Sequence, residues 1–538
     1  MSRFLATLLD SATVTTRGMT TGEPAAPRRR TWAEVHAEAR NRAAALRAAG
    51  LGHGQAVGVL AGEPAAIAPL AQAVWLLGGS VTMLHQPTAR TDLAHWAEDT
   101  VTVLRMIDAT TVLLGAPFDA LAPVLDERGI SHLLIDSLDG GDPFVPDADV
   151  ADEDDTALLQ LTSGSTAEPK AVRITHRNLH ANITAMREAA RLDVERDVMI
   201  SWLPLFHDMG MVGFLTIPMV TGLECVIVTP VDFLTRPLLW AELISRHGGT
   251  VTAAPNFAYA VLGRQLARAA DLDLSTLRIA LNGAEPVDPV AVRAFVENGA
   301  RFGLRPESVL CAYGMAETAL GVAFAPVETG LAVDEIDADA LESRRRAEPG
   351  TGRAFPLLGP PLPGIEARVV ADGRTVGVRE VGSIQLRGES VTPGYLTVDG
   401  PLATRDPDGW FDTGDEGYLV EDGQVVVCGR TKDVIIMGGR NIYPTDIERA
   451  AAEADGVRAG NAVAVRLPAG DRRESFAVVV ESRRAGDADE SAVIRKDVIS
   501  RVVSAVGARP ARVEVLPPGS LPKTPSGKLR RAATAELL

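Results

Sequence analysis

Ten consecutive residues, Leu161-Thr162-Ser163-Gly164-Ser165-Thr166-Ala167-Glu168-Pro169-Lys170, are the first stretch of this 538-residue sequence with a clear capacity for chemistry. Small residues and hydroxyls directly after an apolar run let a backbone wrap closely around phosphate and donate to its oxygens. The G-x-x-x-x-G-K-[ST] spacing of a Walker loop is absent. A Ser/Thr/Gly run alone is equally what an ordinary loop looks like. Its continuation through Glu168-Pro169-Lys170 makes the pattern more specific. No His/Cys cluster has zinc-ligand spacing. The three cysteines, Cys225, Cys311 and Cys428, lie far apart without a CxxC pair and read as buried free thiols.

The elements that must hold such a loop follow from pattern. A chain of this length exceeds one ordinary hydrophobic core, so two or more domains are expected. Hydrophobic residues make up 46% and charged residues 23%, the balance of a soluble globular protein. A net charge of −17 without a long basic run disfavours nucleic acid as a partner, whereas ATP needs only a few local donors. No window supplies the ~18–20 uninterrupted apolar residues of a membrane span, and the apolar stretch after Met1 is too short for a signal peptide, so the expected location is cytoplasmic.

Thr31-Trp32-Ala33-Glu34 reads as a capping box opening an Ala-rich helix that stops at Gly50. Apolar runs such as Val57–Leu60 and Thr111–Leu114 then alternate with helical stretches, the pattern of a largely parallel sheet. Gly140–Asp155 reads as a linker or exposed loop, after which the alternation resumes at Ala157–Leu161 and again near Thr250. From about residue 355 short β-rich segments with Gly and Pro turns appear, and a compact α+β tail follows residue 433.

Four further segments follow the phosphate-loop candidate in order: Tyr313-Gly314-Met315-Ala316-Glu317-Thr318, Asp412-Thr413-Gly414-Asp415, Gly429-Arg430-Thr431-Lys432-Asp433 and Pro522-Lys523-Thr524-Pro525-Ser526-Gly527-Lys528. Together they resemble the signatures of the adenylate-forming superfamily of acyl-CoA synthetases, adenylation domains and luciferases, with Ala167 where that family's loop usually has glycine. Within it, Ser201-Trp202-Leu203-Pro204-Leu205-Phe206-His207-Asp208-Met209-Gly210, Ala254–Tyr259, Asn282–Val287 and Gly438–Pro444 are similar to segments of the fatty acyl-AMP ligases. The stretch from Gly330 to Gly350 fits the insertion those ligases carry. The overall pattern further resembles ligases that supply lipid chains to mycobactin-type siderophores.

The resemblance implies an α/β fold: a large N-terminal domain of stacked α/β subdomains plus a β-rich subdomain, with a small mobile α+β C-terminal domain. The implied bounds are 1–428 for the N-terminal domain, 429–433 for a hinge centred on Asp433, and 434–538 for the C-terminal domain. ATP and Mg²⁺ are the implied cofactors. Thr162, Ser163, Gly164, Ser165 and Thr166 would cradle the phosphates. Lys170 would either support that loop or sit solvated beside it. Tyr313, with Gly314, Met315 and Ala316, would stack on adenine, while Asn282, Gly283, Ala284 and Glu285 line its other side; a core tyrosine is the plain alternative. Glu317 is the implied Mg²⁺ ligand, the alternative being a carboxylate at a helix start. Asp415 and Arg430 would hold the ribose or form a structural ion pair. Lys528 would bridge the substrate carboxylate and the α-phosphate. His207 would lie beside that carboxylate or serve as a structural histidine.

The implied reaction joins a fatty acid to AMP and passes the acyl group to the phosphopantetheine thiol of an acyl carrier protein. The alternative is a fatty acyl-CoA synthetase using free CoA. Arg344–Arg346 would touch an acidic carrier or form a solvated run. Phe206, Met209, Met211, Val212, Phe214, Leu215 and Ile217 would line an acyl groove or fill the core.

Overall fold

The computed structural model describes residues 1–87, 91–138, 140, 142–162, 168–437, 440–467, 474–523 and 529–538. The chain packs as two compact units. The first comprises Met1–Leu331, Pro361–Glu366 and Arg387–Phe411, and the second Ala332–Pro360, Ala367–Leu386 and Asp412–Leu538.

Two eight-stranded sheets organise the first unit. One runs in the order Gly321–Phe324, Val309–Gly314, Ile279–Asn282, Val251–Ala254, Val198–Ser201, Glu224–Ile227, Gly18–Thr21 and Arg28–Thr31. Its six inner strands are parallel and its edge strands antiparallel. The strands Val251–Ala254 and Gly18–Thr21 are buried along their whole length, as strands covered by helices on both faces must be. In the second sheet the parallel strands Thr156–Thr162, Ser80–Met83, Ala56–Leu60, Val112–Leu114 and His132–Leu134 are extended by antiparallel Lys170–Thr175, Gly394–Thr397 and Gly400–Ala403. The expected capping box opens the helix Trp32–Ala48: Thr31 N–H donates to Glu34 Oε2 at 2.7 Å and Glu34 N–H returns a bond to Thr31 Oγ1.

In the second unit the β-rich segments share a core of Ile336, Leu341, Phe355, Tyr418 and Val426 with Val434 and Tyr443, and the α+β tail has a further core that includes Ile447, Phe476, Val478 and Val498. Apolar residues from both sides of 429–433, among them Val426 and Val434, pack in the first of these cores. The helix Ala338–Arg344 lies in the segment that fits an insertion, and its Glu342 pairs with Arg440. Arg353, almost fully buried between the rings of Phe355 and Tyr443, pairs with Asp446. Each of the three consecutive arginines has a carboxylate within the unit: Arg344 with Glu348 (2.9 Å), Arg345 with Glu416 (2.7 Å) and Arg346 with Glu380 (3.9 Å).

Cys225, Cys311 and Cys428 are buried free thiols, and burial pushes Cys311 and Cys428 up to about 12. Among the described residues no helix is long and apolar enough to cross a membrane.

Candidate active site

The carboxyl ends of four neighbouring parallel strands converge on the candidate residues. His207 lies in the segment after Val198–Ser201, Asn256 follows Val251–Ala254, Asn282–Glu285 close and follow Ile279–Asn282, and Tyr313–Glu317 close and follow Val309–Gly314. In open parallel sheets this edge is where ligands bind. The neighbouring loops are tied to one another: Asn282 Nδ2 donates to Asn256 Oδ1 at 3.1 Å, and Phe257 N–H donates to Glu285 Oε1 at 2.6 Å. A Cβ on Gly283 would stand 3.0 Å from the Ala312 carbonyl oxygen, so a side chain there would crowd the loop approach.

Glu317 sits in the 3₁₀ turn Ala316–Thr318, a tight turn rather than the start of a long helix. Gly314 is required by the same turn, since its Cβ would lie 2.3 Å from the Leu320 carbonyl oxygen. Tyr395, from the strand Gly394–Thr397, donates its hydroxyl to Glu317 Oε1 at 2.7 Å. The Lys170 ammonium lies 5.9 Å from the centroid of the Tyr395 ring. Thr162 and Lys170 are paired across antiparallel strands at the two ends of the phosphate-loop candidate. Ser163, Gly164, Ser165 and Thr166 lie outside the described residues, as does Lys528.

Tyr313 and Gly314 are half-buried, whereas Met315 and Ala316 are buried. His207 is half-buried beside Asp208, with Nδ1 and Oδ1 2.5 Å apart. Gln160 Nε2 donates to the Phe206 carbonyl at 2.9 Å, which ties this loop to the strand ahead of Thr162. Beyond it Met209–Thr216 form a π-helix whose side chains are buried, and Ile217 is buried after it. Of the apolar residues of this stretch, Met209, Met211, Val212, Phe214, Leu215 and Ile217 are buried and Phe206 is half-exposed.

Asp415 and Arg430 belong to the second unit. They face each other across the strands Phe411–Leu419 and Val425–Arg430, with Arg430 Nε 2.9 Å from Asp415 Oδ1. Asp415 is buried while Arg430 is half-exposed. Asp433, in the turn Thr431–Asp433, accepts from Arg531 at 3.1 Å, and Arg531 also pairs with Glu448 at 2.7 Å. Sequence reasoning did not mark Tyr395: it lies 78 residues from Glu317, and a lone tyrosine after Pro-Gly carries no chemical signature.

This two-unit α/β fold, with its ordered motifs on strand ends and tight turns, defines an adenylate-forming ligase. The chain belongs to the AMP-binding enzyme family, whose profile matches residues 13–396. It is 57% identical over 545 residues to a Mycobacterium tuberculosis (strain H37Rv) protein provisionally named a ligase, with all of both chains covered. It is 33% identical over 409 residues to the long-chain-fatty-acid–AMP ligase FadD26 of Mycobacterium marinum, covering 71% of this chain and 69% of that one. Among solved structures it is similar to a chain from work on the fatty acyl-adenylate ligases of E. coli and L. pneumophila, with a TM-score of 0.87, 30% identity and coverage of 100% and 98%.

Proposed function

We propose that this protein is a fatty acyl-AMP ligase that condenses a fatty acid with ATP and hands the acyl group to a carrier-bound phosphopantetheine thiol. The observation that carries the proposal is the convergence of His207, Asn282–Glu285 and Tyr313–Glu317 at one sheet edge, where Glu317 is gripped by a tyrosine beside Lys170. The likeness to proteins named fatty acyl-AMP and fatty acyl-adenylate ligases points the same way.

A carboxylate oxygen attacks the α-phosphorus of ATP, an O–P bond forms, and pyrophosphate leaves with the electrons of the broken bond. Both reactants are anionic, so catalysis is positioning and charge neutralisation. Thr162–Thr166 cradle the phosphates with Lys170 at the end of the loop. Tyr313 stacks on adenine against Asn282–Glu285. Asp415 accepts from the ribose hydroxyls and Arg430 donates to the same ring. His207 orients the fatty carboxylate, and Lys528 bridges it to the α-phosphate. Among the described residues no group of three or more His, Cys, Asp or Glu could hold a metal. Mg²⁺ bound with a nucleotide needs only one or two carboxylates beside the phosphates, and Glu317, a hard oxygen donor fixed in place, fits that demand. When bound, Mg²⁺ neutralises phosphate charge.

The second half-reaction, attack of a thiol on the acyl-AMP carbonyl, uses a hinge at 429–433 centred on Asp433. In this reading the segment near 330–350 restrains movement of 434–538 and so disfavours free CoA. The Glu342–Arg440 and Arg353–Asp446 pairs and the core shared by Leu341 and Tyr443 support it. Lipid assembly of the mycobactin-siderophore type is the destination that suits such a product.

The test is to incubate the protein with ATP, Mg²⁺ and saturated fatty acids of graded length, with no acceptor, free CoA or a phosphopantetheinylated carrier, and to identify products by mass. Acyl-AMP that moves to the carrier and not to CoA is expected. Efficient acyl-CoA formation would move the protein to the synthetases, and no acyl-AMP from any fatty acid would sink the substrate class.

A further inference from the structure

We infer that Tyr395 is the positioning residue that fixes the Glu317 carboxylate for the metal–nucleotide complex, an inference that rests on the reading of Glu317 as a metal-facing group. The turn that presents Glu317 has an unfavourable backbone: Ala319 is buried with φ +67° and ψ −45°, a combination that costs energy for a residue with a Cβ. Within the turn, Met315 N–H donates to the Leu320 carbonyl at 2.8 Å and Thr318 N–H to the Met315 carbonyl at 3.1 Å. Strained backbone of this kind persists where its surroundings over-determine it.

One short segment supplies that constraint at both ends of Glu317. Thr392 N–H donates to the Glu317 carbonyl at 2.7 Å, and the Tyr395 hydroxyl donates to its carboxylate at 2.7 Å. The segment is itself anchored. Thr392 Oγ1 donates to the Arg173 carbonyl at 2.5 Å, Arg405 Nε donates to the Thr392 carbonyl at 2.9 Å, and Tyr395 is paired with Val172 on one side and Leu402 on the other. A charge-assisted bond from a rigid ring selects one glutamate rotamer and sets the plane of the carboxylate. The Lys170 ammonium lies 5.9 Å from the centroid of the same ring, so Tyr395 stands beside both the lysine at the end of the phosphate-loop candidate and the acid of the Tyr313–Thr318 turn. Phenylalanine would keep the ring packed between its strands, so the hydroxyl can be removed separately.

The experiment titrates the full chain with α,β-methylene-ATP by calorimetry, once with Mg²⁺ and once with EDTA, for the wild type, Tyr395→Phe, Glu317→Gln and the double variant. The expected result is unchanged affinity in EDTA and a loss of about 10-fold or more of the affinity gained from Mg²⁺ in Tyr395→Phe, the usual scale for removing a group that orients a metal ligand. In the double variant the tyrosine substitution adds little to the loss from Glu317→Gln. The inference is overturned if Tyr395→Phe keeps the full Mg²⁺ gain, if it loses equal affinity in EDTA, or if its loss adds in full to that of Glu317→Gln. A Glu317→Gln variant with an intact Mg²⁺ gain would overturn it too. A wild type that binds Mg²⁺ and nucleotide normally yet adenylates no fatty acid would sink the ligase reading while leaving this measurement decisive.

Discussion

The two units manage charge in opposite ways. In the first, buried charge and candidate chemistry are kept at opposite ends of the same strands. Asp197, fully buried, pairs with Arg278 at 2.5 Å and accepts from Thr250 Oγ1 at 2.9 Å, and these three residues immediately precede the strands Val198–Ser201, Ile279–Asn282 and Val251–Ala254. His207, Asn282–Glu285 and Glu317 lie at or beyond the other ends of the same sheet's strands. In the second unit the two are interleaved. Asp415 pairs with Arg430, while its neighbour Glu416 binds Arg345 and the Tyr443 hydroxyl, and Asp433 is held by the same arginine that pairs with Glu448. Stability and site should therefore separate by mutation in the first unit and stay entangled in the second.

The largest test of that contrast is Arg278→Ala, which removes the buried cation of Asp197 and leaves it the half-exposed Arg196 at 3.5 Å. A loss of about 3–5 kcal/mol is expected in urea unfolding, the cost of breaking a buried pair from one side. Next, Glu317→Gln should lower kcat for adenylation by about 10²–10³-fold, as loss of a group that stabilises developing charge does, with an unfolding midpoint indistinguishable from wild type. An unfolding shift as large as that of Arg278→Ala would abolish the proposed separation.

His176 gives a third test. It is fully buried at the start of the helix His176–Ala189, with Nδ1 2.8 Å from Ser2 Oγ and Nε2 buried without a partner. Burial holds it at about 4 against an ordinary 6.5, so below neutrality the unfolded chain takes up a proton that the folded one refuses. Stability is thus intact above the unfolded value and declines as pH falls towards the folded one, by about 2 kcal/mol between pH 7.5 and 5. Thermal melts of wild type and His176→Gln across that window should converge as the pH drops; parallel curves would exclude the histidine. The smallest effect is in the second unit. Asp415→Ala should raise the KM for ATP about tenfold and also cost about 1 kcal/mol of stability, modest because Arg430 is half-exposed. A change in KM without any stability change would show that the entanglement is absent there.

Much of the first unit was legible because its signals are local. Apolar runs bounded by turns produced the strands at 156–162 and 251–254, and Thr31 with Glu34 produced a cap four residues long. The ordered motifs led to the strand ends because each is continuous in sequence. What escaped notice joins distant segments. The second unit is assembled from three stretches of chain, which no window of sequence reveals. Arg344–Arg346 have three separate carboxylate partners, up to 71 residues away, which the sequence does not pair with them. Tyr395 falls in the same class, since its meaning lies wholly in the group across from it.

The buried cysteines have a practical consequence. Thiolate is the reactive form, and Cys311 and Cys428, pushed up to about 12, together with Cys225, also raised by burial, offer almost none of it near neutral pH. A maleimide dye should leave the native chain nearly unlabelled under folding conditions. One cysteine introduced on each side of residues 429–433 would then report their separation by fluorescence transfer during turnover, with no need to strip the natural thiols from the interior first.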